Sequence, residues 1–163
     1  MKVMLTLALP RDELSIPVVR RILAAAMKVL GVDGNCIDEV AVAVTEACTN
    51  VLEHAASGAN YEVSVGIDQD ICVIEVIDAG GGFDAGGVGM STAELSAEEG
   101  RGIHLMRQMV DRVRFDSRPE QGTVVHLEKR LHWHEGAAIE RLSTNGRAPT
   151  AAPVAGPAPG SLG

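Results

Sequence analysis

Aromatic side chains are nearly missing from this sequence. They make up 2 % of its residues, against 46 % that are hydrophobic, so any core is aliphatic, built from Val, Ile, Leu, Ala and Met. Long apolar runs are missing too. None approaches the roughly 18 residues that a membrane span needs, and no signal peptide precedes the first strand-like run. No membrane contact and a cytoplasmic location are therefore expected. Basic clusters are absent: 14 Lys and Arg face 22 Asp and Glu, for a net charge of −8. Nucleic-acid binding requires a positive stripe to neutralise phosphates, so no direct contact with DNA or RNA is expected, whereas an acidic surface suits protein partners. The three cysteines, Cys36, Cys48 and Cys72, are odd in number and match no zinc spacing. Each sits in an apolar periodic segment and reads as a small buried hydrophobe in a reducing compartment. No G-x-x-x-x-G-K-[ST] loop occurs, and no strand leads directly into a G-x-G-x-x-G turn, which excludes the two commonest phosphate-binding loops.

What is present is a chain of 163 residues, enough for one domain with a real core. Residues 2–9 alternate Val3, Leu5, Leu7 and Leu9, as a strand does. Asp12 reads as the cap of a helix carrying Ile16, Val19, Leu23, Met27 and Leu30 at helical spacing and ending at Gly31; Pro17 is tolerable there because it falls near the first turn. A second helix is predicted from about Asn35 to Ala56, with an apolar stripe through Val40, Val44, Cys48 and Val51. Tyr61–Ile67 and Ile71–Ile77 form a hairpin around Asp68-Gln69-Asp70. Residues 78–100 are glycine-rich and read as a long loop, which in a compact domain is usually functional or mobile. A short helix from Gly102 to about Arg112 follows, then strands at Val113–Ser117 and Thr123–Arg130 around a turn at Pro119–Gly122. Beyond Glu135 the composition shifts to Ala, Pro, Gly and Ser, so residues 1–135 are expected to fold and 136–163 to form a disordered tail. The order β-α-α-β-β-loop-α-β-β implies a two-layer α/β sandwich, with a mixed, mostly antiparallel sheet and helices on one face.

Four local patterns carry possible chemistry. Glu46 and Asn50, at i and i+4, stack on one side of the second helix, away from its apolar stripe. A carboxylate there can take a proton or orient a water, and an amide oxygen suits Mg2+. Asp78-Ala79-Gly80-Gly81-Gly82 follows a strand directly. Its carboxylate can accept a hydrogen bond from an exocyclic amine, and its glycines let backbone pass close to a ring. Gly100-Arg101-Gly102 opens a helix, where free N–H groups and the dipole favour phosphate. Gly122-Thr123 starts the last strand. Taken singly, these patterns also fit a solvated helix face, a turn, a flexible hinge and nothing at all.

Together, and in this order, the four resemble the nucleotide-binding boxes of the GHKL ATPases (the Bergerat fold), over roughly residues 1–131. EACTNVLEHA, DAGGGFD and GRGIHLMRQMVDRV are similar, within that superfamily, to the bacterial anti-sigma-factor serine kinases of the stress-response and sporulation type. The resemblance implies ATP and Mg2+ as cofactors. It implies Glu46 as general base for the substrate serine, Asn50 as holder of Mg2+, and Asp78 as the adenine contact with Thr123 nearby through water. Gly80 and Gly82 would shape the adenine pocket. Gly100, Arg101, Gly102, Ile103 and His104 would cradle the phosphates, chiefly by backbone N–H groups, and residues 84–99 would form a lid. Arg101 is either an additional charge on the γ-phosphate or a solvated surface residue, and His54 reads as structural. The implied partners are a sigma factor, a STAS-domain anti-anti-sigma protein and a second copy of the chain, with Arg20 and Arg21 on the first helix contributing to partner binding. The lid stretch contains no Lys or Arg to clasp phosphate, which keeps open an ATP-dependent clamp that transfers no phosphoryl group.

Overall fold

Alternating apolar residues in five segments become one sheet. In a computed structural model, which describes residues 2–54, 60–78, 97–118 and 122–138, the elements run β1 (Lys2–Pro10), α1 (Ser15–Leu30), α2 (Gly34–His54), β2 (Asn60–Asp68), β3 (Ile71–Asp78), α3 (Ala97–Met109), β4 (Arg112–Arg118) and β5 (Gly122–Arg130). The strand order is β1-β2-β3-β5-β4. Every pairing is antiparallel, so the described strands contain no parallel pair and the sheet is simpler than the mixed one expected. Each strand's period of two sends one set of side chains inward: Val63, Val65 and Ile67 from β2, Cys72, Ile74 and Val76 from β3, Val125 and Leu127 from β5. Against them lie Val19, Leu23 and Met27 of α1, Val40, Val44, Ala47, Cys48 and Val51 of α2, and Ile103 and Met106 of α3. Among the described residues the buried core is aliphatic apart from Tyr61, and Phe115 and Trp133 pack against it partly buried.

Local chemistry sets the element ends. Asp12 does not cap α1. Its carboxylate accepts from the Leu14 N–H at 2.7 Å, and its carbonyl accepts from Ser15, so it shapes a turn and the helix starts at Ser15. Gly31 ends α1 at φ +91°, while the Val32 N–H reaches back to the Met27 carbonyl at 3.0 Å. Gln69, at φ 54°, turns the β2–β3 hairpin.

Two expected boundaries move. α3 begins at Ala97, so Gly100-Arg101-Gly102 lies inside the helix rather than ahead of it. Ala97, Glu98 and Glu99 are good helix formers in the sequence, a signal that the neighbouring glycines obscure. At the other end, Ala137 is buried against Gly31, where an added Cβ would meet the Ala137 Cβ at 2.8 Å. The ordered chain therefore runs past Glu135 to at least Ala138, tied down by a bridge between Val32 and Trp133. Gly80, Gly82, residues 84–96 of the expected lid, the turn around Pro119 and the tail from 139 onward lie outside the described residues.

Candidate functional site

α2 is a helix with two duties. Its sheet-facing stripe is buried, and this rotates Glu46, Thr49, Asn50 and Glu53 toward α3. There a cleft of about 350 Å3 is lined by those four residues with Arg101, Gly102 and Leu105. The hydroxyls of Thr45 and Thr49 bond back to carbonyls of their own helix, at 2.7 and 2.9 Å, so the Thr49 hydroxyl proton is engaged within α2 while Glu46, Asn50, Glu53 and Arg101 bring the other polar side chains to the cleft.

Gly102 sets how close the helices come. A Cβ at this position would lie 2.8 Å from Glu46 Oε2 and 3.8 Å from Asn50 Oδ1. The α3 backbone thus comes up against the carboxylate because nothing projects from residue 102. Gly100 contrasts with it: a Cβ there would meet nothing within 4 Å. Arg101 borders the cleft and is exposed, Ile103 turns into the core, and His104 is exposed without lining the cleft. In an α-helix starting at Ala97, the N–H groups of Gly102, Ile103 and His104 are engaged within the helix, and only those of the first turn are available to a ligand.

The second part of the site is at the end of β3. Asp78 is 1 % exposed and pairs across the sheet with Tyr61 on one side and Thr123, itself buried, on the other. Asp78 and Thr123 are thus brought together from positions 45 residues apart by the β3–β5 register alone. Arg11, just beyond β1, places its Nη2 3.4 Å from Asp78 Oδ2. The same nitrogen donates to the Val51 carbonyl of α2 at 2.9 Å. α2 therefore connects the two parts: Glu46 and Asn50 face α3, and Val51, the next residue after Asn50, meets the group beside Asp78 with its carbonyl.

The donor set fits a magnesium nucleotide. Mg2+ usually takes one or two protein oxygens and completes its octahedron with phosphates and water, and Asn50 Oδ1 beside Glu46 provides that minimum. Among the described residues no group of three or more His, Cys, Asp or Glu gathers to hold a metal alone. Cys48, in the middle of the Glu46–Asn50 stretch, is not a nucleophile: burial pushes its thiol up to about 12, and it points to the sheet.

Residues 9–129 match the family described as the histidine kinase-like ATPase domain. The chain belongs to this family. Within it, the serine-protein kinase RsbW of Bacillus velezensis is 30 % identical over 84 % of this chain and 93 % of that protein. The anti-sigma F factor of Pasteuria penetrans is 32 % identical over 63 % of this chain and 74 % of that protein. The crystal structure of the RsbU and RsbW domains of a Mycobacterium tuberculosis protein superposes with a TM-score of 0.62 at 20 % identity, over 79 % of this chain and 32 % of that one, a likeness of fold.

Sequence reasoning missed Arg11, Thr49, Glu53 and Leu105. Glu53 was within reach, since it stands at i+7 from Glu46 and hence on the same face. Leu105 stands likewise at i+4 from Arg101. Arg11 carried no local signal, because its partners Val51 and Asp78 are distant in the chain.

Proposed function

We propose that the chain is an anti-sigma factor and ATP-dependent protein-serine kinase. It binds Mg-ATP, sequesters a sigma factor and phosphorylates a STAS-domain anti-anti-sigma protein on serine. The observation that carries this reading is the contact of Gly102 with Glu46 and Asn50, which puts a carboxylate and an amide oxygen at one point of a cleft between two helices. The names of the relatives support the same reading.

Glu46 would take the proton from the attacking serine hydroxyl as its oxygen bonds to the γ-phosphorus and the bond from that phosphorus to the β-phosphate oxygen breaks, releasing ADP. Asn50 would hold the Mg2+ that neutralises the phosphates, and Asp78 would accept from the adenine amine. Mg2+ would offset the repulsion between the Glu46 carboxylate at the cleft and the charge of the triphosphate. Phosphates would meet the first turn of α3 at Gly100, with Arg101 at the rim, while Gly102 acts through closeness to Glu46. The partner surface would be α1, where Arg20 and Arg21 are exposed. Arg20 also borders a groove of about 370 Å3 between α1 and α2 that ends at Glu46. A homodimer belongs to the same proposal, as does a cytoplasmic location. Among the described residues no helix is long and apolar enough to cross a membrane.

The test is incubation with Mg-ATP and candidate STAS-domain proteins. Phosphoserine on one of them, lowered by about a hundredfold or more in Glu46→Gln while ATP affinity stays within about threefold, is the expected result. The lid stretch 84–99, which contains no Lys or Arg, motivates a second reading, an ATP-dependent clamp without transfer. Tight nucleotide-dependent partner binding with no phosphoserine would decide for the clamp.

A further inference from the structure

Arg11 belongs to none of the patterns above, yet it sits beside the residue read as the adenine contact. Its side chain is 12 % exposed, that of Asp78 1 %, and the two approach to 3.4 Å. The Arg11 Nη2 is also anchored on the Val51 carbonyl at 2.9 Å. In a helix ending at His54, that carbonyl is among the last four, at the negative end of the dipole. One guanidinium therefore ties together the end of β1, the last turn of α2 and the end of β3.

The terminal torsion of a carboxylate is broad and roughly two-fold, so its orientation is set by the groups around it. The Arg11 nitrogen that approaches Asp78 Oδ2 is the same one that the Val51 carbonyl holds, so the positive charge stands at a fixed place beside one oxygen of the carboxylate and favours the orientation that keeps that oxygen there. A site that discriminates bases through one buried hydrogen bond depends on such fixing. We propose that Arg11 is a positioning residue for base recognition: anchored on the Val51 carbonyl, it holds the Asp78 carboxylate in the orientation that accepts the adenine amine. This rests on the reading of Asp78 as the adenine contact. A plain structural tie would use the same contacts, so loss of stability in an Arg11 variant does not separate the two; nucleotide discrimination does.

The full chain, Arg11→Met and Arg11→Lys are to be titrated calorimetrically with Mg-ATP and with purine riboside triphosphate, which lacks only the 6-amino group. The native chain should prefer ATP by about tenfold or more, the worth of one hydrogen bond to a charged group. Arg11→Met should lose that preference through weaker ATP binding, with the amine-free nucleotide bound as before. Arg11→Lys, which keeps the charge but not the planar fork, should keep part of it. An unchanged preference in Arg11→Met, or an equal loss for both nucleotides, overturns the proposal. If Arg11→Met does not fold, Arg11→Lys decides: a preference reduced by about threefold or more supports positioning, and an unchanged one overturns it. If the native chain itself shows no preference, Asp78 is not the amine contact, and that reading and this one fall together.

Discussion

At position 102 the absence of a side chain has a chemical consequence. An added Cβ would stand 2.8 Å from Glu46 Oε2, the far end of a flexible side chain that can move aside. Alanine in a helix interior is favoured over glycine by about 1 kcal/mol. Gly102→Ala should therefore keep or raise the melting temperature while displacing the carboxylate, and phosphotransfer should fall by about tenfold or more. Calorimetric melting and a phosphoserine assay on the same preparation check this; a parallel fall in both would mean that Gly102 serves packing alone. Glu46 and Asn50 were legible in the sequence because their i, i+4 spacing fixes a common face whatever surrounds the helix. That Gly102 presses on them was not, since the sequence shows a glycine before a helix and only the packing of α3 on α2 shows what it touches.

Elements behaved according to how local their signals are. β1, α1 and the β2–β3 hairpin begin and end close to where alternation, helical spacing and Gly31 put them. α3 did not, because two glycines in three residues read as punctuation while the helix passes through them. α1 is the element whose role in the proposed function can be isolated. Its inner residues Val19, Leu23 and Met27 are buried, whereas Arg20 and Arg21 face outward with Val18 and Ile22 also exposed. Reversing the charge in Arg20→Glu should leave Mg-ATP affinity and the melting temperature unchanged. Partner binding should weaken by about tenfold or more, with a reduced dependence on salt. Surface plasmon resonance against the phosphorylatable partner, at two ionic strengths, measures it; an unaltered partner affinity would move the docking surface elsewhere.

For the molecule as a whole, the aliphatic core carries a pH dependence of its own. Burial raises the thiols of Cys48 and Cys72 from an ordinary 9.0, and the phenol of Tyr61 from 10.0, to about 12. Tyr61 also shares a hydrogen bond with Ser15 at 2.7 Å, which works against its rise. Above about pH 9 the unfolded chain loses these protons while the folded chain keeps them, so unfolding is favoured as pH rises. The contribution is whole below about 9 and is lost on the way to 12. The urea midpoint, followed by fluorescence of Trp133, the single tryptophan, should fall through that window. The fall should be shallower in a Cys48→Ala, Cys72→Ala variant; an equally steep fall would place the base sensitivity elsewhere. By itself, the sequence determined the aliphatic core, the element order, the α/β class and the faces on which Glu46, Asn50 and Asp78 stand, because side-chain period and turn chemistry act over a few residues. Tertiary structure alone decided that the described strands pair only antiparallel, that Asp78 lies opposite Thr123, that Gly102 closes on Glu46 and that Arg11 reaches Asp78. Those depend on contacts between residues far apart in the chain, whose partners no local pattern encodes.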